Sequence, residues 1–106
     1  MEISFDTKEL REQCSDEAYA AETLDSAVVE ALKRRISDIR AADSIDDILA
    51  GQPRSGSYMG VECYFVDLAA GYQLIVKPAH SKPRVKADGS VDWDSIRRIK
   101  VVSLKP

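Results

Sequence analysis

The chain has 106 residues, of which 44% are hydrophobic and 31% charged, and its formal net charge is −3. This length predicts one domain spanning residues 1–106, with one modest hydrophobic core. The composition excludes a disordered or fibrous protein. We find neither a secretory signal nor an apolar run long enough to span a bilayer, and therefore expect a cytoplasmic protein without membrane contact.

Charge is distributed unequally along the chain. Residues 1–50 contain thirteen acidic and six basic residues, whereas residues 51–106 contain five acidic and nine basic residues. Such asymmetry indicates either a surface for an anionic partner in the second half or a chance difference on a solvated surface.

The potential metal ligands are few. Two cysteines, Cys14 and Cys63, and the single histidine, His80, cannot supply a usual four-ligand zinc set. We therefore expect neither a metal nor a cofactor. Cys63 lies in an apolar stretch, where a small buried hydrophobe is the expected role.

The chain begins with a short strand and a helix. The alternation of polar and apolar side chains over residues 2–5 predicts a half-buried strand. Asp6 follows as the expected N-cap, with Glu9 as the capping-box acid. The first helix is predicted over residues 7–22, with a break near Ser15.

The second helix, over residues 25–41, is the clearest element. Its apolar stripe recurs at four- and three-residue steps and is expected to pack against the sheet: Val28, Leu32, Ile36 and Ile39. A capping signal at Ser44 predicts one or two short turns over residues 45–50. Residues 52–57 have the composition of a loop.

The second half is predicted to be mainly strands. Residues 63–68 and 72–76 form a β-hairpin, with Gly71 available for a positive φ in the turn. Both strands are apolar on both faces, which is typical of strands covered by helices. Residues 98–104 form a last strand, and Trp93 is expected to be a packing anchor.

The order of elements is β-α-α-β-β-β. It predicts an α+β fold, in which two N-terminal helices pack on a twisted antiparallel sheet of about four strands.

One cationic cluster stands out chemically. It contains Lys77, His80, Lys82, Arg84 and Lys86, with no acidic residue among residues 77–86 and with Arg54 as a possible neighbour. Lysine and arginine hold phosphate oxygens and stabilise charge that develops at phosphorus. His80 can act as an acid or a base near neutral pH, and tyrosines can stack on bases. The cluster predicts either a metal-free ribonuclease or a solvated basic loop.

Several short segments resemble one family along nearly the whole chain. They are Met1-Glu-Ile-Ser-Phe5, residues 7–11, residues 32–36 continuing to residues 39–43, Asp67-Leu68, residues 71–75, Lys77-Pro78 with His80, and Asp88-Gly89 leading to Asp92-Trp93. In this order the chain resembles the RelE/ParE superfamily of toxins, in particular the HigB-like "plasmid maintenance killer" group of type II toxin–antitoxin systems.

The resemblance implies a RelE-like fold and an mRNA endonuclease that acts in the ribosomal A site without a metal. It also implies a cognate antitoxin as partner, besides the ribosome and mRNA. For such an activity we assign His80, Lys82 and Arg84 as candidate catalytic residues. The candidate RNA-binding residues are Arg54, Lys77, Lys86 and Tyr72.

The chain departs from the family pattern before and within the hairpin. Residues 57–63 contain no base where the family has a basic segment, and Gln73 stands where the family has arginine. The chain also ends without the family's usual Tyr or His tail. Two alternatives follow: a RelE-fold relative that acts as a protein-interaction module without catalysis, or a ParE-like gyrase poison.

Overall fold

The computed structural model describes all residues, Met1–Pro106, and contains three helices and five strands. In chain order these are β1 (Glu2–Phe5), α1 (Lys8–Ser15), α2 (Glu17–Thr23), α3 (Ser26–Ala41), β2 (Arg54–Tyr58), β3 (Val61–Asp67), β4 (Gln73–Pro78) and β5 (Arg98–Lys105). Two 3₁₀ turns, Ile45–Asp47 and Trp93–Ser95, lie between them. The predicted α+β class is therefore confirmed.

The five strands form one mixed sheet in the order β1-β5-β4-β3-β2. β5 pairs antiparallel with β4 and parallel with β1, so the expected four-stranded antiparallel sheet is wrong in strand count and in one pairing. The parallel pair is possible because nearly the whole chain, including the three helices, connects β1 to β5. The two ends of the chain thereby meet in adjacent strands.

The segment predicted as a loop over residues 52–57 contains strand β2. Arg54 pairs with Phe65 and Tyr58 with Val61 in an antiparallel ladder. Its turn-like composition is tolerated because β2 is an edge strand, which needs to satisfy only one neighbour. Gly56 has no side chain, and a Cβ there would lie 2.9 Å from the Phe65 ring.

The predicted first helix is divided into α1 and α2, which confirms the break near Ser15. Asp16 is extended (φ −115°, ψ 105°), and its carboxylate accepts hydrogen bonds from the backbone N–H of Ala18 and Tyr19. The N-cap of α1 is Thr7, whose Oγ1 accepts from Leu10 N, rather than Asp6 as expected. The helix begins one residue later than predicted, which moves the cap by one position.

α3 provides the apolar face that packs on the sheet. All four residues of its predicted stripe are buried: Val28, Leu32, Ile36 and Ile39. The last three belong to one core cluster with residues of the sheet, namely Val66, Leu74, Val76, Ile99 and Val101. None of the helices has the length and hydrophobicity to cross a bilayer. The Ile45–Asp47 turn after α3 is shorter than predicted, because Ile48 is already extended.

The helices cover only one face of the sheet, so the expected helical cover on both faces is wrong. Cys63 and Ile75 are nevertheless buried on the other face, which we call the open face. The sheet curls over these two side chains, since Lys105 Nζ on β5 lies 4.7 Å from the ring centroid of Tyr58 on β2. Tyr58 and Lys105 occupy diagonal corners of the sheet, and right-handed twist brings such corners together. Cys63 is thus the small buried side chain that was predicted.

Gly51 is the position where the backbone tolerates no side chain. Its φ is +87°, and a Cβ would lie 2.7 Å from Val66 Cγ1 and 2.8 Å from the Asp67 carbonyl oxygen. We expect Gly51→Ala to lower the free energy of unfolding by about 2–4 kcal/mol, combining φ strain with overpacking. Gly71→Ala is the matched control, because its φ is +78° but its surroundings are empty. Urea unfolding of the two variants is the measurement, and equal losses would contradict the close approach.

Candidate anion-binding site

The open face carries a row of cations near one end of the sheet. Lys77 on β4 pairs directly with Lys100 on β5, so their side chains project from the same face. Arg98 lies two residues before Lys100 on β5 and shares that face. The side chains between and after them, Ile99 and Val101, are fully buried on the helix-covered face. One strand therefore supplies both core residues and surface cations.

Lys77, His80 and Lys100 line one groove of about 490 Å³. Arg98 Nη2 lies 3.1 Å from His80 Nδ1 and joins this group from the side. We call Lys77, His80, Arg98 and Lys100 the cationic face. Because a guanidinium can only donate, Nδ1 must accept, and the ring proton of neutral His80 is on Nε2. His80 in this geometry offers an N–H donor to a ligand rather than a free base.

No cation of the cationic face forms an ion pair, although Glu62 also lines the groove, where its carboxylate accepts hydrogen bonds from Val91 N and Trp93 Nε1. The four ion pairs of the protein join Lys8 to Glu12, Lys33 to Glu17, Arg35 to Asp38 and Arg54 to Asp67, all outside this group. Adjacent like charges such as Lys77 and Lys100 are unfavourable unless a counter-charge is supplied. An anionic ligand supplies it, so the arrangement is suited to binding anions.

The basic loop (residues 78–86) carries three of the predicted site residues, Lys82, Arg84 and Lys86. All three are exposed, and none of them lines this groove. The loop continues into a tight turn, closed by hydrogen bonds from Asp92 N to Arg84 O and from Lys86 N to Ser90 O. These three cations therefore do not converge with Lys77 and His80.

The turn beyond the basic loop is held by Asp88. Its Oδ1 accepts hydrogen bonds from Ser90 N at 3.0 Å and from Ser90 Oγ at 2.6 Å. These bonds, more than the charge of Lys86, lower the pKa of the Asp88 carboxyl.

The other predicted RNA-binding residues, Arg54 and Tyr72, lie elsewhere. Arg54 is engaged by Asp67, with Nη2 to Oδ1 at 3.1 Å, and also donates to the Gln52 carbonyl. Tyr72 belongs to the β3–β4 turn, where its N–H donates to Ala69 O. That turn is at the start of β4, and the five steps along the chain from Tyr72 to Lys77 span about 17 Å of strand. Only Lys77 and His80 of the seven predicted residues therefore share one groove.

Sequence reasoning missed Arg98 and Lys100 as site residues. They were predicted only as part of the last strand, residues 98–104. The signal was the alternation Arg98-Ile99-Lys100-Val101, which puts two cations on one face and two apolar residues on the other. Their meeting with Lys77 depends on the pairing of β4 with β5, which is set by a long-range contact.

The connection between β4 and β5 is anchored to the sheet by Glu62. Its Oε1 accepts from Val91 N at 3.0 Å, and its Oε2 accepts from Trp93 Nε1 at 2.9 Å. Trp93 is buried and stacks in a tilted arrangement on Tyr64, with ring centroids 4.8 Å apart. The prediction of Trp93 as a packing anchor is confirmed. These contacts fix the segment that carries the basic loop.

No group of three or more His, Cys, Asp or Glu side chains is positioned to hold a metal ion. Comparison of the chain with protein-family models, curated proteins and solved structures found no significant match.

Replacing Glu62 tests the anchor. Glu62→Ala leaves the buried Trp93 N–H without an acceptor, and we expect a loss of about 1–3 kcal/mol in unfolding free energy. Trp93 is the only tryptophan, so its fluorescence emission reports this site directly and should shift to longer wavelength. Asp94→Ala removes a neighbouring exposed carboxylate that makes no side-chain hydrogen bond and serves as control. Unchanged Trp93 emission in Glu62→Ala would argue against the anchor.

Tyr64 gives a second test through its ionisation. Burial, followed by the 2.5 Å hydrogen bond that its hydroxyl donates to Asp46, raises the pKa of Tyr64 from 10.0 to about 12. The fold favours the neutral phenol, so its contribution to stability is complete below pH 10.0 and is lost as the pH rises towards 12. A difference titration of tyrosinate absorbance, wild type minus Tyr64→Phe, should have its midpoint near pH 12. A midpoint at the ordinary tyrosine value would refute this environment.

Proposed function

We propose that this protein is the toxin of a type II toxin–antitoxin pair of the RelE/ParE kind, acting as a ribosome-dependent mRNA endonuclease. The observation that carries the proposal is the convergence of Lys77, His80, Arg98 and Lys100 on one open face, where none of them forms an ion pair. The resemblance of the sequence segments to the HigB-like group supplies the reaction. A cognate antitoxin that covers this face would neutralise the toxin.

The cationic face has the residue types that such a reaction requires. Lys77 and Lys100 can hold the non-bridging oxygens of a phosphodiester and stabilise the negative charge that grows on them during cleavage. The Nε2–H of His80 can donate a hydrogen bond to an oxygen of the same phosphodiester. Arg98 is a positioning residue, because its hydrogen bond to Nδ1 fixes the side of the ring that carries the proton.

The interaction-module alternative has one observation in its favour. Two large apolar side chains are almost fully exposed, Leu49 at 93% and Met59 at 86%. Exposed apolar side chains mark protein contacts when they are grouped with others. Leu49 lies in a shallow groove with Ile48 and three alanines, rimmed by Asp38, Asp43 and Asp47. A partner protein with a basic, apolar segment fits this groove.

Cleavage of mRNA on programmed ribosomes, read by primer extension, tests the proposal. We expect cuts at A-site codons that fall by roughly 100-fold or more in Lys77→Ala/Lys100→Ala, because two groups that stabilise the transition state are lost. Lys82→Ala/Arg84→Ala removes the same charge from the basic loop and should reduce cleavage far less. Lys33→Ala, on the opposite side of the fold, should cleave like the wild type.

Intact message with the wild-type protein would overturn the endonuclease proposal and favour the interaction module. Induction of the DNA-damage response on expression, with translation intact, would instead indicate a gyrase poison. Full cleavage by Lys77→Ala/Lys100→Ala would remove the cationic face from the mechanism.

A further inference from the structure

A second groove adjoins the cationic face at the free edge of β1. It has a volume of about 630 Å³ and is lined by all four residues of β1, by the start of β5 and by Arg40 from the last turn of α3. Three cations line it, namely Arg40, Arg98 and Lys100, and Glu2 is its only acid. None of the three cations forms an ion pair.

The two grooves are continuous, because Ala79 and Lys100 line both of them. Lys77, Lys100 and Ser4 lie in one row across three neighbouring strands, as the pairings of β4, β5 and β1 show. From Lys77 to Ser4 this row spans two strand spacings, about 9–10 Å, and Arg40 lines the same groove from α3. That length exceeds a single phosphate group.

The free edge of β1 adds neutral donors to this path. Glu2 N and Asp6 N donate to β5 carbonyls, at Arg97 and Val101. Because successive N–H groups of a strand alternate in direction, the N–H groups of Ile3 and Phe5 point to the free edge. Backbone N–H groups commonly contact phosphate oxygens beside Arg and Lys side chains.

We infer that Arg40, with the β1 edge, forms a second phosphate-binding subsite next to the cationic face. The ligand is therefore an oligonucleotide whose backbone crosses the strands and places at least two phosphates on the protein. This inference rests on the proposed function, since it extends the RNA-binding surface. Arg40 is a binding residue in this arrangement and does not contact the reacting phosphate.

Replacing Glu2 is expected to change the affinity in the direction opposite to replacing Arg40. Its carboxylate lines the same groove, so it repels a phosphate that Arg40 attracts. Glu2→Gln should strengthen binding and Arg40→Gln should weaken it. Arg34→Gln is the matched control, because Arg34 is exposed on the same helix, forms no ion pair and lines neither of these two grooves.

Fluorescence anisotropy with labelled oligodeoxynucleotides of two and six nucleotides tests this without requiring cleavage. We expect Arg40→Gln to weaken binding of the six-nucleotide strand about three- to fivefold and to reduce the slope of log affinity against log salt by about 0.7. Its affinity for the two-nucleotide strand should equal that of the wild type. Glu2→Gln should bind the six-nucleotide strand more tightly.

Three results would overturn the inference. If Arg40→Gln behaves like Arg34→Gln while Lys77→Gln/Lys100→Gln weakens both strands, only the cationic face binds. If a glutamate-rich peptide of equal charge binds with the same dependence on Arg40, the groove holds an acidic protein segment instead. If the wild type binds neither strand, the proposed function is overturned as well. A negative result for Arg40→Gln alone would overturn only the second subsite.

Discussion

The placement of β5 in the sheet is the constraint on which both the core and the site depend. β5 is paired on both sides, with β4 and with β1, and from Arg98 to Val101 exposed or half-buried cations alternate with buried apolar side chains. A slip of one residue would put Arg98 and Lys100 into the core and turn Ile99 and Val101 to solvent. Burial of Ile99 and Val101 therefore fixes the position of the cations. The same register of β5 thus determines both the stability of the core and the geometry of the site.

A single extra residue in β5 also determines which face the end of the strand presents. Val76 pairs with Val101, whereas the preceding residue of β4, Ile75, pairs with Ser103, so Val102 is inserted without a partner. The bulge reverses the alternation beyond it, so Lys105 shares the open face with Lys100 although they are five residues apart. Bulges also increase local twist, which agrees with the curl that brings Lys105 to Tyr58. The open face is concave for this reason.

The electrostatics of the two halves differ in kind as well as in sign. In the helical half, Lys8, Lys33 and Arg35 each have an acidic partner. In the second half only Arg54 has one. Of the other cations in the second half, all but Arg97 lie on the open face or the basic loop, so this half of the chain presents a localised positive surface. Such a surface attracts anionic ligands and increases their association rate.

How far the sequence predicts this structure depends on whether a feature is local. α3 was predictable because its apolar residues recur in consecutive turns of the helix. The hairpin was predictable because its turn residues are adjacent in the sequence. β2 was not, since Arg54-Ser-Gly-Ser becomes a strand only by pairing with β3. The parallel pairing of β1 with β5 joins residues 96 positions apart, and nothing local encodes it. The site role of Arg98 and Lys100 was not predictable for the same reason, because their neighbours Lys77 and His80 come from another strand and its following loop.

The proposed binding surface for the phosphodiester backbone of RNA is the open face at Lys77 and Lys100. The most direct measurement is the change in backbone amide NMR shifts when a short, uncleavable 2′-O-methyl RNA is added to the protein. We expect the shift changes to concentrate on β5 from Arg98 to Lys100, on β4 at Lys77, and on residues 79–80. Shifts confined to α1, α2 and the exposed surface of α3, or no shifts in low salt, would contradict it.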